Sequence, residues 1–239
     1  KGFSGEEMAD KYIGLTRIHL EEDVAKLTHF GDCSGVDFNR AGVPLMEIVS
    51  EPDMRSADEA YAYLTALKQI MQFGGIGDCD MEKGQMRCDV NISIRHRGDE
   101  KFGTKIELKN LNSFRAVHRA ITYEIKRQIV MLEAGDVIHQ ETRGWNDDVG
   151  ESYLMRSKEN ANDYRYFPEP DLMPVVLSDE DIEAIRKTLP ELPEQKRERY
   201  VKEYALTDYD AHVITLDRDL AAYFERAADK SKAPKLVAN

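Results

Sequence analysis

The chain has 239 residues, of which 41% are hydrophobic and 33% are charged, a composition typical of a folded globular protein rather than a disordered one. Its formal net charge of −12 argues against a generic nucleic-acid-binding domain, which is usually basic. No apolar run approaches the length of a transmembrane helix, and no signal peptide is recognisable, so we expect no membrane association. The cysteines lack the spacing of a metal site, which favours free thiols in a cytoplasmic protein.

The N-terminal part of the chain is predicted to contain two strands. Residues 11–20 are rich in branched side chains, which favour a strand. The acidic triplet at residues 21–23 follows it; such triplets are usually solvated and only occasionally bind a ligand. Residues 36–44 are typical of a loop, and residues 45–50 of a short strand.

Two helices have clear predicted boundaries. Ser56 and Glu59 fit a capping box, in which the hydroxyl accepts the Glu59 amide and the carboxylate accepts the Ser56 amide. The apolar residues that follow have helical spacing as far as Gly74. Ser113 is the predicted N-cap of a second, longer amphipathic helix that ends at Gly135.

Two segments between these helices show strict alternation of apolar and polar residues. Residues 85–95 and 104–110 each have one apolar and one polar face, and the polar, glycine-containing loop between them favours an antiparallel hairpin. The polar face would carry Arg87, Asp89, Asn91, Lys105, Glu107 and Lys109. Carboxylates on this face could bind a divalent cation and the basic side chains could bind phosphates, as a metal–nucleotide site requires. The alternation alone favours the other interpretation, a solvated face of a half-buried sheet.

The region after the second helix is predicted to be extended. Residues 142–145 and 153–156 fit two arms of a hairpin. Residues 164–171 contain two prolines and several aromatic side chains, so this segment cannot be helical. It could stack on a ligand ring, although packing beneath a loop is the commoner role of such a segment.

The composition becomes helical and strongly charged near the C-terminal end. Helices are predicted to begin at Ser178 and after Pro193, and a third is predicted over residues 216–228. We therefore predict two domains, residues 1–178 and residues 179–239, the second of which is all helical.

Motifs of common enzymes are missing from the sequence. It contains no P-loop, no strand-bound G-x-G-x-x-G, no H-E-x-x-H, no C-x-x-C and no G-x-S-x-G. If the protein uses ATP, the remaining option is a site on the face of a sheet, where carboxylates hold metal ions that bridge phosphates. The predicted hairpin fits that description better than any other segment.

Long sequence motifs resemble one family. Residues 37–53, Asp-Phe-Asn-Arg-Ala-Gly-Val-Pro-Leu-Met-Glu-Ile-Val-Ser-Glu-Pro-Asp, resemble the signature of the GatB/GatE subunits of the tRNA-dependent amidotransferases, which act on Glu-tRNA(Gln) or Asp-tRNA(Asn). Supporting matches lie at residues 17–23, 87–93, 107–114, 140–143 and 163–171. The resemblance runs through nearly the whole chain, and motifs of this length are highly specific.

The resemblance implies a fold, an activity and partners. The fold is α+β: a glutamine-synthetase-like antiparallel β cradle with flanking helices, followed by the start of an all-α domain. Members of this family use ATP and Mg²⁺ to phosphorylate the side-chain carboxylate of the tRNA-bound glutamate or aspartate, and ammonia then displaces the phosphate to give the amide. The implied partners are a glutaminase (amidase) subunit that supplies the ammonia through a channel, a small subunit that clasps the two, and misacylated tRNA.

The resemblance also implies roles for individual residues. Glu22, Asp89 and Glu107 are implied as catalytic, metal-binding carboxylates. Alternation independently places Asp89 and Glu107 on one face, whereas Glu22 is assigned by the resemblance alone. The expected nucleotide-binding side chains, inferred from strand parity, are Arg87, Asn91, Lys105 and Lys109.

The chain departs from the family pattern at both ends. Family members carry a segment before the equivalent of Lys11, with further metal ligands that include a Glu-x-His pair, and a tail domain that helps to grip tRNA. We expect this sequence to be a fragment without either, and poorly active or inactive alone. Lys83 stands where relatives often have an acidic residue. The alternative hypothesis is a non-catalytic tRNA-binding or complex-assembly fragment of the same fold.

Overall fold

A computed structural model of the chain describes residues 3–5, 8–157, 173–231 and 233–238. The strands are β1 (Leu15–Glu22), β2 (Lys26–Phe30), β3 (Cys33–Asp37), β4 (Pro44–Ser50), β5 (Cys88–Ile92), β6 (Ile106–Leu111), β7 (Glu141–Asn146) and β8 (Glu151–Ser157). The helices are α1 (Ala57–Phe73), α2 (Phe114–Glu133), α3 (Asp179–Thr188), α4 (Pro193–Glu203), α5 (Asp208–Ile214), α6 (Arg218–Lys230) and α7 (Pro234–Ala238). None of the helices described is both long and apolar enough to cross a membrane.

The strands of the described residues form three sheets. β1 pairs with β4 and β2 with β3, each as an antiparallel two-stranded sheet, and a four-stranded sheet has the order β5-β6-β7-β8. The expected antiparallel arrangement is wrong at one pair, because β6 and β7 run parallel. The reason is that α2 lies between them in the sequence and carries the chain back across the sheet, as a parallel connection requires. The fold is therefore mixed α and β, with a mixed rather than antiparallel main sheet.

The main core lies between α1, α2 and one face of the four-stranded sheet. The alternation predicted for β5 and β6 is confirmed: in β5 half-buried and exposed residues alternate, and in β6 Ile106 and Leu108 are fully buried while the preceding Lys105 is exposed. The helices contribute Leu64 and Val117 to the same cluster. Residues of the apolar face thus anchor β5 and β6 on the helices, and the polar face points away from the core.

The predicted starts of α1 and α2 are confirmed. The Ser113 hydroxyl accepts the Ala116 amide at 3.0 Å, and the Ser56 hydroxyl accepts the Glu59 amide at 3.1 Å. The reciprocal bond of the predicted capping box is wrong, because the Glu59 carboxylate accepts the Arg55 amide at 2.5 Å instead. It also pairs with Lys11 at 2.7 Å, so this carboxylate is held by groups outside the helix.

A second core lies within the helical region. Tyr200 of α4 is fully buried there with Phe224 of α6 and Phe73, the last residue of α1. The predicted helices beginning at Ser178 and Pro193 are confirmed, with a complete capping box at Ser178. The position of Phe73 shows that the helical region is built against the end of α1.

Three further predictions concern irregular or short elements. The hairpin predicted around residues 146–148 is confirmed as β7–β8, with its turn at residues 147–150, while the proline-rich segment at residues 164–171 lies outside the described residues. The prediction of a loop over residues 36–44 is wrong at both ends, because Val36 and Asp37 belong to β3 and Pro44 begins β4. The β2–β3 hairpin is exposed along most of its length, so no apolar alternation marks it in the sequence.

Candidate functional site

The exposed face of β5 and β6 brings three of the expected site residues together. The Lys109 ammonium group lies 2.5 Å from Asp89 Oδ2 and 3.4 Å from Glu107 Oε1. The Glu107 side chain is also bonded by the hydroxyl of Thr142 in β7, which donates to Oε2 at 2.8 Å. The side chain of Asp89 is 49% exposed and that of Glu107 18%. One lysine therefore bridges two carboxylates on an accessible surface.

A β-bulge shapes this part of the hairpin. Val90 is paired with Leu108, but Cys88 is paired with Leu111, so β6 has one residue more than β5 between these pairs. Asn110 lies in this extra stretch with a φ of +63°, a left-handed conformation that asparagine tolerates better than most residues. Its side-chain amide donates to the Tyr153 hydroxyl of β8 at 2.9 Å. Bulges re-aim side chains beside functional sites, and this one lies directly beside Lys109.

The two carboxylates beside Lys109 change the pKa of its ammonium group. Partial burial lowers the pKa of Lys109, but its contacts with Asp89 and Glu107 raise it further, and the net pKa is above the ordinary value. Lys109 is therefore a cation at neutral pH, and the group of Asp89, Glu107 and Lys109 carries a net negative charge. On the opposite, apolar face, desolvation raises the pKa of the Cys88 thiol to about 12, as expected for a small core residue.

The residues present fit a metal–nucleotide better than a metal alone. In the part of the chain that the structure describes, no three His, Cys, Asp or Glu side chains are grouped closely enough to hold a metal ion. Mg²⁺, however, is commonly bound by one or two carboxylates together with phosphate oxygens and water. Asp89 and Glu107 supply that number of carboxylates.

The remaining expected site residues have different positions. Asn91 is exposed and lies directly opposite Glu107 in the register of β5 and β6, so it belongs to the same face. Lys105 is exposed and immediately precedes β6. Glu22 is the last residue of β1, paired with Pro44 in a separate two-stranded sheet. Glu22 is thus not grouped with Asp89 and Glu107 among the described residues.

Arg87 participates in an ion-pair group that the sequence patterns missed. Its guanidinium lies 2.5 Å from Asp23 Oδ2, and that of Arg40 lies 2.8 Å from the same oxygen. The hydrogen bond from Arg87 lowers the pKa of Asp23, more strongly than the desolvation that raises it. Asp23 belongs to the predicted acidic triplet and Arg40 to the motif at residues 37–53, but nothing in the local sequence connects them.

A cavity of about 370 Å³ opens beside this group. Its lining includes the basic side chains Lys26, Arg40 and Arg87 and the acidic side chains Asp23 and Asp37. The cavity is therefore net positive, in contrast to the whole chain with its charge of −12. A pocket of this size and charge suits a small anionic group.

Comparison with known proteins gives consistent matches. The family described as the GatB/GatE catalytic domain matches residues 4–183. Proteins named as a subunit of aspartyl/glutamyl-tRNA(Asn/Gln) amidotransferase are similar to this chain; that of Persephonella marina is 58% identical over 228 residues, which are 95% of this chain and 48% of the relative. Those of Thermoanaerobacter sp. strain X514 and Carboxydothermus hydrogenoformans are each 56% identical, over 96% of this chain and 48% and 49% of the relatives. The chain spans about half the length of these relatives.

Proposed function

This chain belongs to the family of the GatB/GatE catalytic domain, and we propose that it carries the kinase site of a tRNA-dependent amidotransferase. The reaction would transfer the γ-phosphoryl group of ATP to the side-chain carboxylate of Glu-tRNA(Gln) or Asp-tRNA(Asn), and ammonia would then displace phosphate to give the amide. The proposal rests on the accessible group of Asp89, Glu107 and Lys109. This group lies in a chain that is 56–58% identical to proteins named as a subunit of aspartyl/glutamyl-tRNA(Asn/Gln) amidotransferase.

The proposed site explains why carboxylates and basic groups lie side by side. Asp89 and Glu107 would hold Mg²⁺ together with phosphate oxygens. A bound Mg²⁺ neutralises charge between a phosphoryl donor and a carboxylate acceptor, which would otherwise repel each other. Lys109, whose pKa is raised by its two acidic neighbours, keeps its proton and offsets charge on the transferring group. Arg87, Asn91 and Lys105 are the further groups proposed to contact the nucleotide.

The proposed reaction needs parts outside this chain. The names of the relatives describe one component of a larger enzyme, and we propose a glutaminase subunit as the source of ammonia and a small clasp subunit as a further partner. Glu22 is proposed as a third carboxylate ligand. Because it ends β1, which is exposed along most of its length, its approach to the metal would depend on how the rest of the protein covers this strand. A cytoplasmic location is part of the same proposal.

The decisive experiment uses the full-length protein in its assembled complex. Asp89→Asn and Glu107→Gln should each reduce ATP-dependent phosphorylation of the charged tRNA by on the order of 100-fold. Binding of charged tRNA should change less than about twofold in the same variants, since neither carboxylate is proposed to contact the tRNA. Phosphorylation at the wild-type rate in both variants would refute the site.

The proposed role of Glu22 is tested with a matched control at the neighbouring residue Glu21. Glu22→Gln should reduce phosphorylation, whereas Glu21→Gln should not, because Glu21 points to the other face of β1 and faces His19 at 4.0 Å. Equal effects of the two substitutions would show that only the local charge matters.

Assaying each charged tRNA separately would then establish whether glutamate, aspartate or both are substrates.

A second candidate is a non-catalytic tRNA-binding or assembly module of the same fold. It is favoured by the lack of a three-member ligand cluster among the described residues. This candidate predicts that Asp89→Asn and Glu107→Gln leave every function of the complex intact. The acidic net charge of −12 disfavours a role based on binding tRNA alone.

A further inference from the structure

Asp23 is a buried carboxylate whose position is fixed by its own backbone and side chain. Only 7% of its side chain is exposed. Its backbone N–H donates to Val43 O at 2.8 Å, and its backbone oxygen accepts the Gly42 amide at 2.9 Å. Its Oδ1 accepts the Val24 amide at 3.0 Å. These bonds hold Asp23 rigidly at the end of β1 and leave Oδ2 for the guanidinium groups.

The two arginines on Oδ2 come from separate parts of the chain. Arg40 lies in the turn before β4 and Arg87 immediately before β5. Their side chains remain 46% and 59% exposed, and each guanidinium has several N–H donors, of which Asp23 engages only some. A Cβ atom on Gly84 would lie 2.7 Å from Arg40 Nη1, so the neighbouring turn also confines Arg40. The pair is therefore preorganised and still able to bind an anion.

The location of this pair connects the two halves of the proposed site. Asp23 directly follows Glu22 in the sequence, and Arg87 precedes Asp89 by two residues on the exposed face. The ion pair between Asp23 and Arg87 therefore links the sheet of β1 and β4 to the strand that carries Asp89. The net-positive cavity described above opens at this link.

We propose that Asp23 is a positioning residue that holds Arg40 and Arg87 as a clamp for a phosphate group of the bound nucleotide, an inference that rests on the proposed function. Two guanidinium groups held by one carboxylate bring several charged N–H donors together, and phosphate oxygens accept such donors. Holding them before binding reduces the side-chain entropy lost in the complex. The nucleotide is favoured over the tRNA backbone because a cavity of about 370 Å³ admits a compact phosphate-bearing group but not an extended polyanion.

The test uses the full-length protein in the assembled complex, with the substitution Asp23→Asn. Losing the charge that orients two arginines should raise the KM for ATP and the Kd for ATP about tenfold, the scale of one charge-assisted hydrogen bond. The KM for charged tRNA should change less than about twofold. Asp32→Asn, which removes the same charge from the exposed turn between β2 and β3, is the matched control and should leave all three constants unchanged.

A second set of variants protects the test against a simple loss of folding. Arg87→Gln should also weaken ATP binding, and the double variant Asp23→Asn/Arg87→Gln should weaken it by less than the two single effects combined, since Arg87 is one of the two guanidinium groups through which Asp23 acts. Asp23→Glu should recover part of the affinity.

The possible outcomes distinguish a failure of the proposed arginine clamp from a failure of the proposed function. A lower melting temperature with an unchanged Kd for ATP would show that Asp23 only supports the fold, and a larger change for tRNA than for ATP would assign the clamp to tRNA. Either result overturns the inference. A wild-type complex that binds ATP but transfers no phosphoryl group to charged tRNA would refute the proposed function, while the Kd values would still decide the clamp.

Discussion

The buried carboxylate of Glu124 in α2 should be essential for the stability of the main sheet. Its side chain is fully buried and accepts hydrogen bonds from three neighbours. Arg127 donates to both of its oxygens at 2.6 and 3.0 Å, Gln128 donates to Oε1 at 3.0 Å, and Ser152 of β8 donates to Oε2 at 3.2 Å. Glu124 thereby joins α2 to the far strand of the four-stranded sheet.

Glu124→Ala should lower the free energy of unfolding by about 3–5 kcal/mol, the cost of breaking a buried ion pair by removing one partner. Part of that cost comes from Ser152 and Gln128, which are buried and would each lose a partner, at about 1 kcal/mol or more apiece. Arg127 limits the loss, because its side chain is 17% exposed and can turn towards water. Glu124→Gln, which keeps the volume and an acceptor oxygen, should cost about 1–2 kcal/mol.

The measurement is urea unfolding followed by the fluorescence of Trp145, the only tryptophan, which is buried in the core that contains α2. Linear extrapolation gives the free energy of unfolding for each variant. Glu133→Gln, at the exposed end of α2, is the control and should change it by less than about 0.5 kcal/mol. A cost below about 1 kcal/mol for Glu124→Ala would refute this account of the buried network.

Two further predictions concern the helical region. Phe73→Ala should destabilise the helical core by about 3–5 kcal/mol, because Phe73 is buried against it from the end of α1; faster amide exchange in α4 and α6 would show this, and unchanged exchange would contradict it. The helical core should also lose stability in acid. Hydrogen bonds from Arg199 lower the pKa of Glu191. Burial raises the pKa of Glu225, but hydrogen bonds from Lys196 and Arg199 outweigh burial, and the pKa of Glu225 lies below its ordinary value. Folded-state pKa values below about 4.5 stabilise the protein above that pH, so the melting temperature should fall as the pH drops below about 4.5. Glu225→Gln should weaken this dependence, and an unaltered pH profile in that variant would count against it.

Two kinds of sequence signal predict elements correctly: apolar periodicity marks α1, α2, β5 and β6, and capping residues mark the starts of α3 and α4. α1, α2 and the alternating strands β5 and β6 have apolar stripes that match their helical or strand period, and the structure buries or half-buries these stripes except at Ile70, Ile129 and Leu132, which are exposed. The parallel pairing of β6 and β7 escapes prediction because alternation reports which face is buried but not which strand is the neighbour. The short helix α5, with seven residues, offers too few turns for a helical period to be recognised.

The candidate site is predictable only within the hairpin of β5 and β6, because alternation reports which face of a strand is buried but not which other segments approach it. Asp89, Glu107 and Lys109 lie on β5 and β6, two antiparallel strands joined by residues 93–105, so their shared face follows from local alternation. The pair Asp23 and Arg87 is separated by 64 positions, and its formation depends on how two sheets approach each other. Local patterns identify the acidic triplet without distinguishing its members, and only the tertiary contact singles out Asp23.

The order of charges from Arg87 to the exposed face of β5 and β6 suggests how a nucleotide would be oriented. Asp89 and Glu107, with Lys109 between them, form a net-negative group suited to a cation. Two residues earlier, Arg87 joins the net-positive cavity. A metal–nucleotide has the same order, because the cation bridges phosphate oxygens whose remaining charge faces outward. We therefore expect the metal side of the phosphate chain to face Asp89 and its outer oxygens to face Arg40 and Arg87. Reversal of that orientation would place phosphate oxygens against carboxylates and the cation against guanidinium groups, so the charges of the described residues favour one direction only.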